Sequence, residues 1–267
     1  MQFDFTTLCA HARSAAERAG TILEEHFNTP MSVASKTTTH DLVTEVDIKS
    51  EQTIVGHLRD CTPGCSILGE ELGSNHGTSN LTWVIDPLDG TVNYAHGLPI
   101  YCVSIAAVID GVIVAGVIHA PSLGETWYAA RGVGAFCNDK RVHVSRVSCL
   151  DDAFLVTGFP YNVGTNPGRC HDQFLTMLRR GLPLRRLGSA ALDLAWTAGG
   201  RFDGFWEVSL KPWDMAAGAL LVHEAGGRIS HYNNVPFSLE NESIVATNGF
   251  IHDELINVLS SASHDSP

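Results

Sequence analysis

The 267-residue chain is 44% hydrophobic and 17% charged, the balance of an ordinary globular protein, which excludes intrinsic disorder. Its 29 acidic against 17 basic residues leave a net charge of −12, which excludes a general affinity for nucleic acid or anionic membranes and suits a protein that gathers cations. No basic segment with an apolar core opens the chain and no apolar run reaches the length of a membrane span, so the expectation is a soluble, cytoplasmic protein.

The first element runs from about Asp4 to Phe27, where Phe5, Leu8, Ala12, Ala15, Ala19 and Ile22 recur at helical spacing before Pro30. A polar loop from Ser35, rich in ligand-type side chains, then feeds a second helix through Ile48, Ile54 and Leu58. Ser66 to Glu71 reads as a short strand ending in two acids. Val103–Ile109 and Val112–Ile118, joined by Asp110-Gly111, predict a type I′ hairpin deep in a sheet. Gly124 to Val144 predicts further antiparallel strands, with a turn at Asn138-Asp139, and the weakly patterned 145–152 stretch joins two halves.

Beyond it, Thr157 to Tyr161 reads as a loop, and His171 to Arg180 as a helix with Phe174, Met177 and Leu178 on its apolar side. Ser189 caps a further helix, 202–208 is a strand, and Trp213 to Gly226 is a helix with Asp214 in its first turn. A strand at 244–248 and a helix at 251–259 close the chain. Runs of helices and of antiparallel strands without strict alternation indicate an α+β layered fold.

Seven scattered cysteines predict reduced thiols rather than a disulfide framework. Cys61 and Cys65 are close in sequence, but no second pair completes a zinc site, and the 13 histidines include no H-E-x-x-H.

The chemistry concentrates in Trp83-Val-Ile-Asp86-Pro-Leu88-Asp89-Gly90-Thr91. Pro87 lacks an N–H, so the strand is expected to stop near Asp86 and present both carboxylates at a rigid strand end. Gly90 permits close backbone approach, and Thr91 opens a short helix whose N–H groups face an anion. Two carboxylates beside such a turn point to metal ions holding a phosphate; an acidic surface turn is the plainer alternative. Taken alone, Asp214 also fits a helix-start acid and Thr91 a helix cap. Hard oxygen ligands select Mg²⁺ or Mn²⁺, and phosphoryl transfer requires no protein nucleophile. A G-x-x-x-x-G-K-[ST] loop is absent, which counts against an NTPase.

Gly69-Glu70-Glu71, the Trp83 to Tyr94 segment, Trp213-Asp214-Met-Ala-Ala-Gly218 and Asp41-x-Val43-Thr44-x-x-Asp47 together resemble the signatures of the inositol monophosphatase family, in order and nearly end to end. The resemblance implies one catalytic domain over 1–267 in a layered α/β/α/β/α sandwich of the sugar-phosphatase type. Residues 1–145 would form a metal-binding half with a large antiparallel sheet, and 146–267 a half with substrate-contacting helices and Asp214. It also implies a homodimer and inhibition by Li⁺.

Residue by residue, the resemblance implies that Glu70, Asp86 and the Leu88 carbonyl hold one Mg²⁺, and that Asp86, Asp89 and Asp214 hold a second. A third, weaker ion leans on Glu70 through water, and Mn²⁺ is a substitute. Thr91, paired with Asp47, orients and helps deprotonate the attacking water, while the Gly90 and Thr91 N–H groups hold phosphate. Glu207 matches a residue contacting inositol hydroxyls, a role the Ala190 N–H shares, with Asp214 at the leaving oxygen. Lys36 matches a loop lysine near the metals, though a solvated loop charge fits as well, and Glu71 is a further candidate. Arg185 and Arg186 face substrate or serve the dimer interface. Arg185, Arg186 or Lys211 as a second phosphate anchor would favour bisphosphates over inositol 1-phosphate. Fructose 1,6-bisphosphate, histidinol phosphate and 3′-phosphoadenosine nucleotides are the alternative substrates. A reading of another class is a protein partner of the transcription machinery.

Overall fold

The computed structural model of the protein describes residues 3–29, 33–35 and 42–261. Helix α1 (Phe5–His26) starts where the Asp4 carboxylate accepts the N–H groups of Thr6 and Thr7 at 3.4 and 3.1 Å. Strand β1 (Val33–Ser35) pairs antiparallel with β2 (Leu42–Thr44), which lies inside the stretch expected as a loop and leads into α2 (Glu45–Cys61). Then follow β3 (Ser66–Gly69), β4 (Ser74–Asn75), β5 (Leu81–Asp89) and the single-turn α3 (Thr91–Ala95). Strands β6 (Cys102–Ile109), β7 (Val112–Ala120), β8 (Glu125–Ala130), β9 (Gly134–Cys137) and β10 (Lys140–Arg141) complete this half.

These strands form an eight-stranded sheet in the order β10-β9-β8-β7-β6-β5-β3-β4, antiparallel except where β3 meets β5. At the predicted hairpin, Asp110 and Gly111 have φ of 48° and 78°, the left-handed pair that a type I′ turn needs.

The second half contains β11 (Leu155–Thr157), α4 (Cys170–Arg179), β12 (Leu184–Arg185), α5 (Ala190–Ala198), β13 (Gly204–Val208), α6 (Pro212–Glu224), β14 (Arg228–Ser230), β15 (Ser243–Thr247) and α7 (His252–Ser261). Its five strands pair in the order β12-β11-β13-β15-β14. Thr157, expected in a loop, ends β11, and the short β12 and β14 were not foreseen. On α4 the buried face is Cys170, Gln173 and Met177, whereas Leu178 is 46% exposed. The predicted apolar side was therefore rotated by one position.

Helices α1 and α2 cover one face of the large sheet, burying Leu8, Ala12, Leu23 and Ile54 against Trp83, Ile85 and Val103. Helices α5 and α6 fill the space between the sheets, with Leu192, Leu194, Met215 and Leu220 packed against Val84, Ala106 and Phe205. Helices α4 and α7 close the outer face with Met177, Leu255 and Leu259 against Trp206 and Val245. The result is the α/β/α/β/α layering. Residues Met215 to Val222 of α6 are buried all round, as a middle-layer helix must be. All seven cysteines are free, and no helix among the described residues is long and apolar enough to cross a membrane.

Candidate active site

Strand β5 does not stop near Asp86: it continues through Pro87 to Asp89. Asp86 pairs with Ser104 and Asp89 with Cys102, so three steps on β5 oppose two on β6. This is a β-bulge, which absorbs the missing Pro87 N–H without ending the strand. It also sets the chemistry. Residues three apart in a regular strand face opposite sides; the extra residue returns Asp89 to the face of Asp86, because their partners Cys102 and Ser104 are two apart.

That face looks onto the starts of α5 and α6. Ser189, the cap of α5, donates its hydroxyl to Asp89 Oδ2 at 2.5 Å, and the Ala191 N–H donates to the same oxygen at 2.8 Å. Asp214 reaches back to accept the Lys211 N–H at 2.7 Å, and Asp86 accepts the Leu88 N–H at 3.0 Å. Asp86 is 2% exposed, while Glu70, Asp89 and Asp214 are half-buried and line the cleft.

Burial, followed by the charges of Glu70, Asp89 and Asp214, pushes the Asp86 carboxyl well above its ordinary range. Asp214 is pushed up by burial and then by Glu70 and Asp89, and Asp89 is raised chiefly by burial. Four acids thus share one field, each raising or crowding its neighbours, an arrangement that favours a cation.

Beside them, Thr91 Oγ1 lies 2.9 Å from the Leu88 carbonyl and 3.4 Å from Asp47 Oδ1. Thr91 is 8% exposed and Asp47 is 1% exposed, so the pair is fixed. Gly90 takes φ 91° immediately before α3; a Cβ there would also lie 2.7 Å from the Ile100 carbonyl, so both backbone angle and space require glycine.

Glu51 was not singled out in the sequence. Buried on α2, it accepts the N–H groups of Glu71 and Leu72 at 2.8 and 3.2 Å and so holds the turn that carries Glu70. A Cβ at Gly69 would overlap the Glu51 carboxylate. One acid in an amphipathic helix carries no local mark of this role; only the glycine facing it is a clue. Ser50 similarly donates to the Pro87 carbonyl at 3.0 Å, bracing the bulge.

Of the remaining candidates, Ala190 begins α5 beside Asp89, and Glu207 lies on β13 at 8% exposure. Burial, opposed by Arg186, pushes the Glu207 carboxyl up to about 8. Arg185 stacks over the Phe154 ring at 4.9 Å, and Lys211 pairs with Glu242. Asp193 on α5 is 1% exposed, and its two carboxyl oxygens have no hydrogen-bond partner among the described residues. Lys36 and Asp41 lie outside the described residues.

The donor set fits a hard divalent cation. Asp86 and Asp214 each receive a backbone N–H on one oxygen and have no hydrogen-bond partner on the other among the described residues. Among those residues no group of three or more His, Cys, Asp or Glu side chains forms a ready metal site. Mg²⁺ does not need one, because it keeps waters and shares substrate phosphate oxygens.

The chain matches the profile of the Inositol monophosphatase family across residues 4–264. It is 42% identical to a Mesorhizobium japonicum protein named inositol-1-monophosphatase, over 92% of this chain and 93% of the relative. It is 46% identical to the Nus factor SuhB of Pseudomonas aeruginosa, over 78% of this chain and 79% of that protein. A solved inositol monophosphatase structure from Anabaena (Nostoc) superposes with a TM-score of 0.87 at 39% identity, covering 96% of both chains.

Proposed function

The chain belongs to the inositol monophosphatase family and is a phosphatase, and on that premise we propose that it is a Mg²⁺-dependent enzyme hydrolysing inositol 1-phosphate to inositol and phosphate. The observation that carries this reading is the convergence of Glu70, Asp86, Asp89 and Asp214 in one cleft beside the Thr91–Asp47 pair. In this reading Glu70, Asp86 and the Leu88 carbonyl hold one Mg²⁺, and Asp86, Asp89 and Asp214 hold another; Mn²⁺ substitutes. The bound cations supply charge neutralisation at the phosphoryl group and raise the acidity of water.

The side chains do the positioning. The Leu88 carbonyl, with two lone pairs, accepts the Thr91 hydroxyl and keeps capacity for a cation. Thr91 orients the attacking water; as its oxygen takes the water's proton, its own hydrogen turns from the Leu88 carbonyl to Asp47, which ends protonated, and a second water protonates the departing alkoxide. The N–H groups of Gly90 and Thr91 hold phosphate oxygens. Glu207 accepts hydroxyl hydrogens of the leaving alcohol, and the Ala190 N–H donates to one of its oxygens. Phosphoryl transfer depends on positioning and electrostatics, which this arrangement provides. A homodimer, Li⁺ inhibition and a cytoplasmic location belong to the same proposal.

A phosphate-release screen over inositol 1-phosphate, fructose 1,6-bisphosphate, histidinol phosphate and a 3′-phosphoadenosine nucleotide tests it. Inositol 1-phosphate is expected to lead, only with Mg²⁺ or Mn²⁺ present, and Asp89→Asn to fall by more than about 100-fold. Full activity in chelator refutes the reading. A second role, as a protein partner of the transcription machinery, is favoured by the 46% identity to a protein named Nus factor SuhB. Recovery of polymerase-associated factors on immobilised Asp89→Asn protein supports that role, and no recovery on either form dismisses it.

A further inference from the structure

Asn93 sits on α3 with 7% of its surface exposed. The helix around it is pinned to the first half of the molecule: Tyr94 donates its hydroxyl to the Leu23 carbonyl at 2.7 Å, and Thr91 donates to the Leu88 carbonyl at 2.9 Å. The Asn93 carbonyl accepts the Leu98 N–H at 2.8 Å, which closes the turn behind it. From this fixed point the side-chain amide reaches into the other half.

Its nitrogen donates to the Ile100 carbonyl and to the Leu187 carbonyl, both at 2.8 Å, with the Gly188 carbonyl a third acceptor at 3.4 Å. A primary amide carries two N–H hydrogens in one plane, so a single neutral group satisfies carbonyls from two distant segments. Space is reserved for it. Gly188 takes φ 85°, and a Cβ there would lie 3.2 Å from the amide nitrogen. The residues that follow begin α5, where Ser189 Oγ and the Ala191 N–H donate to Asp89 Oδ2 at 2.5 and 2.8 Å. Asp89 and Asn93, on either side of the Gly90–Thr91 turn, therefore grip the same 187–191 stretch.

We propose that Asn93 is a positioning residue for the hydrolysis: its amide sets the distance between the turn that carries Thr91 and the start of α5 that meets the leaving alcohol. The proposal rests on the reading that Thr91 orients the water and the Ala190 N–H contacts the alcohol. Water and leaving oxygen must lie in line across the phosphorus, so the two segments have to be held at one separation. Asp89 ties α5 to the metal side. Asn93 ties it to the water side, acting through backbone carbonyls rather than on substrate.

The test is Asn93→Leu, which keeps the branching of the side chain and removes both donors, in the full-length, Mg²⁺-loaded enzyme well below its melting temperature. With inositol 1-phosphate, kcat is expected to fall roughly 30-fold, because a small misplacement of reacting groups is costly. KM should move by less than about threefold, as for a contact that matters in the transition state. Two binding measurements read the metal side alone: the Mg²⁺-induced rise in melting temperature, and calorimetric binding of inorganic phosphate in Mg²⁺, should match the parent values. Asn93→Ser keeps one donor and leaves room for water, so its kcat should be intermediate, and it carries the test if Asn93→Leu does not fold. A parent-like kcat in a folded variant overturns the proposal and leaves Asn93 as a brace of the fold, seen only as a lower melting temperature. Loss of the Mg²⁺-induced shift or of phosphate binding also overturns it, since the effect would then run through the metal ligands. A parent enzyme that releases no phosphate from inositol 1-phosphate removes the underlying reading of the site, and the proposal with it.

Discussion

Ser189 Oγ lies 2.5 Å from Asp89 Oδ2, so one hydroxyl joins the end of β5 to the start of α5. The same oxygen accepts the Leu192 N–H at 3.4 Å, making Ser189 both the cap of α5 and a brace for a candidate metal ligand. Ser189→Ala is expected to lower stability by about 1 kcal/mol through the lost cap. It should also raise the Mg²⁺ concentration for half-maximal activity roughly fivefold, because outer partners of ligands tune affinity. Thermal unfolding and a Mg²⁺ titration read the two effects separately; a stability loss with unaltered Mg²⁺ dependence would assign Ser189 to the helix alone.

The crowded acids predict opposite effects of one substitution with and without metal. Asp214→Asn removes a charge that raises its neighbour Asp86. In chelator the variant should melt at or above the parent temperature, since like-charge repulsion is relieved. Added Mg²⁺ should stabilise the parent and leave the variant nearly unchanged. Equal Mg²⁺-induced shifts in both proteins would show that Asp214 is no ligand.

Gly69→Ala forces a methyl group onto the Glu51 carboxylate that holds the Glu71 and Leu72 N–H groups. Overpacking of this kind costs about 1–3 kcal/mol, and here it also displaces the turn bearing Glu70. Activity should fall even where the fold survives. In Gly69→Ala/Glu51→Ala the clash disappears, so stability should recover in part while activity does not. Full activity in Gly69→Ala would show that the turn tolerates movement.

His252 is fully buried between Ser230 Oγ at 2.8 Å and Thr247 Oγ1 at 2.9 Å, and burial lowers its pKa from 6.5 to about 4. The folded state therefore disfavours the charged ring. Its contribution to stability is complete above about pH 6.5 and is lost as pH falls towards 4, a change on the order of 3 kcal/mol. Urea unfolding across that window should show the slope, and His252→Gln should flatten it even though the variant is less stable overall. An identical slope in both proteins would place the acid sensitivity elsewhere.

Local signals carried far in this chain. Asp110-Gly111 between two β-branched runs specified the β6–β7 hairpin, and the spacing in the first helix specified α1 to within a residue. The three-residue β11 and β14 and the two-residue β12 escaped notice because such short segments acquire strand geometry only from distant partners, as Leu155 does from Leu184 and Gly204. Glu51 escaped for the same reason: its role exists only where α2 meets the Gly69 turn.

The sequence by itself determined the donor types, their order and the family, because oxygen ligands, Gly90 and the helix caps are properties of short segments. Tertiary structure decided what those groups face. The bulge opposite Cys102 and Ser104 turns Asp86 and Asp89 to one side, and the partners Phe154 and Glu242 occupy Arg185 and Lys211. Facing and pairing of this kind depend on residues far apart in the chain, so no segment read alone contains them.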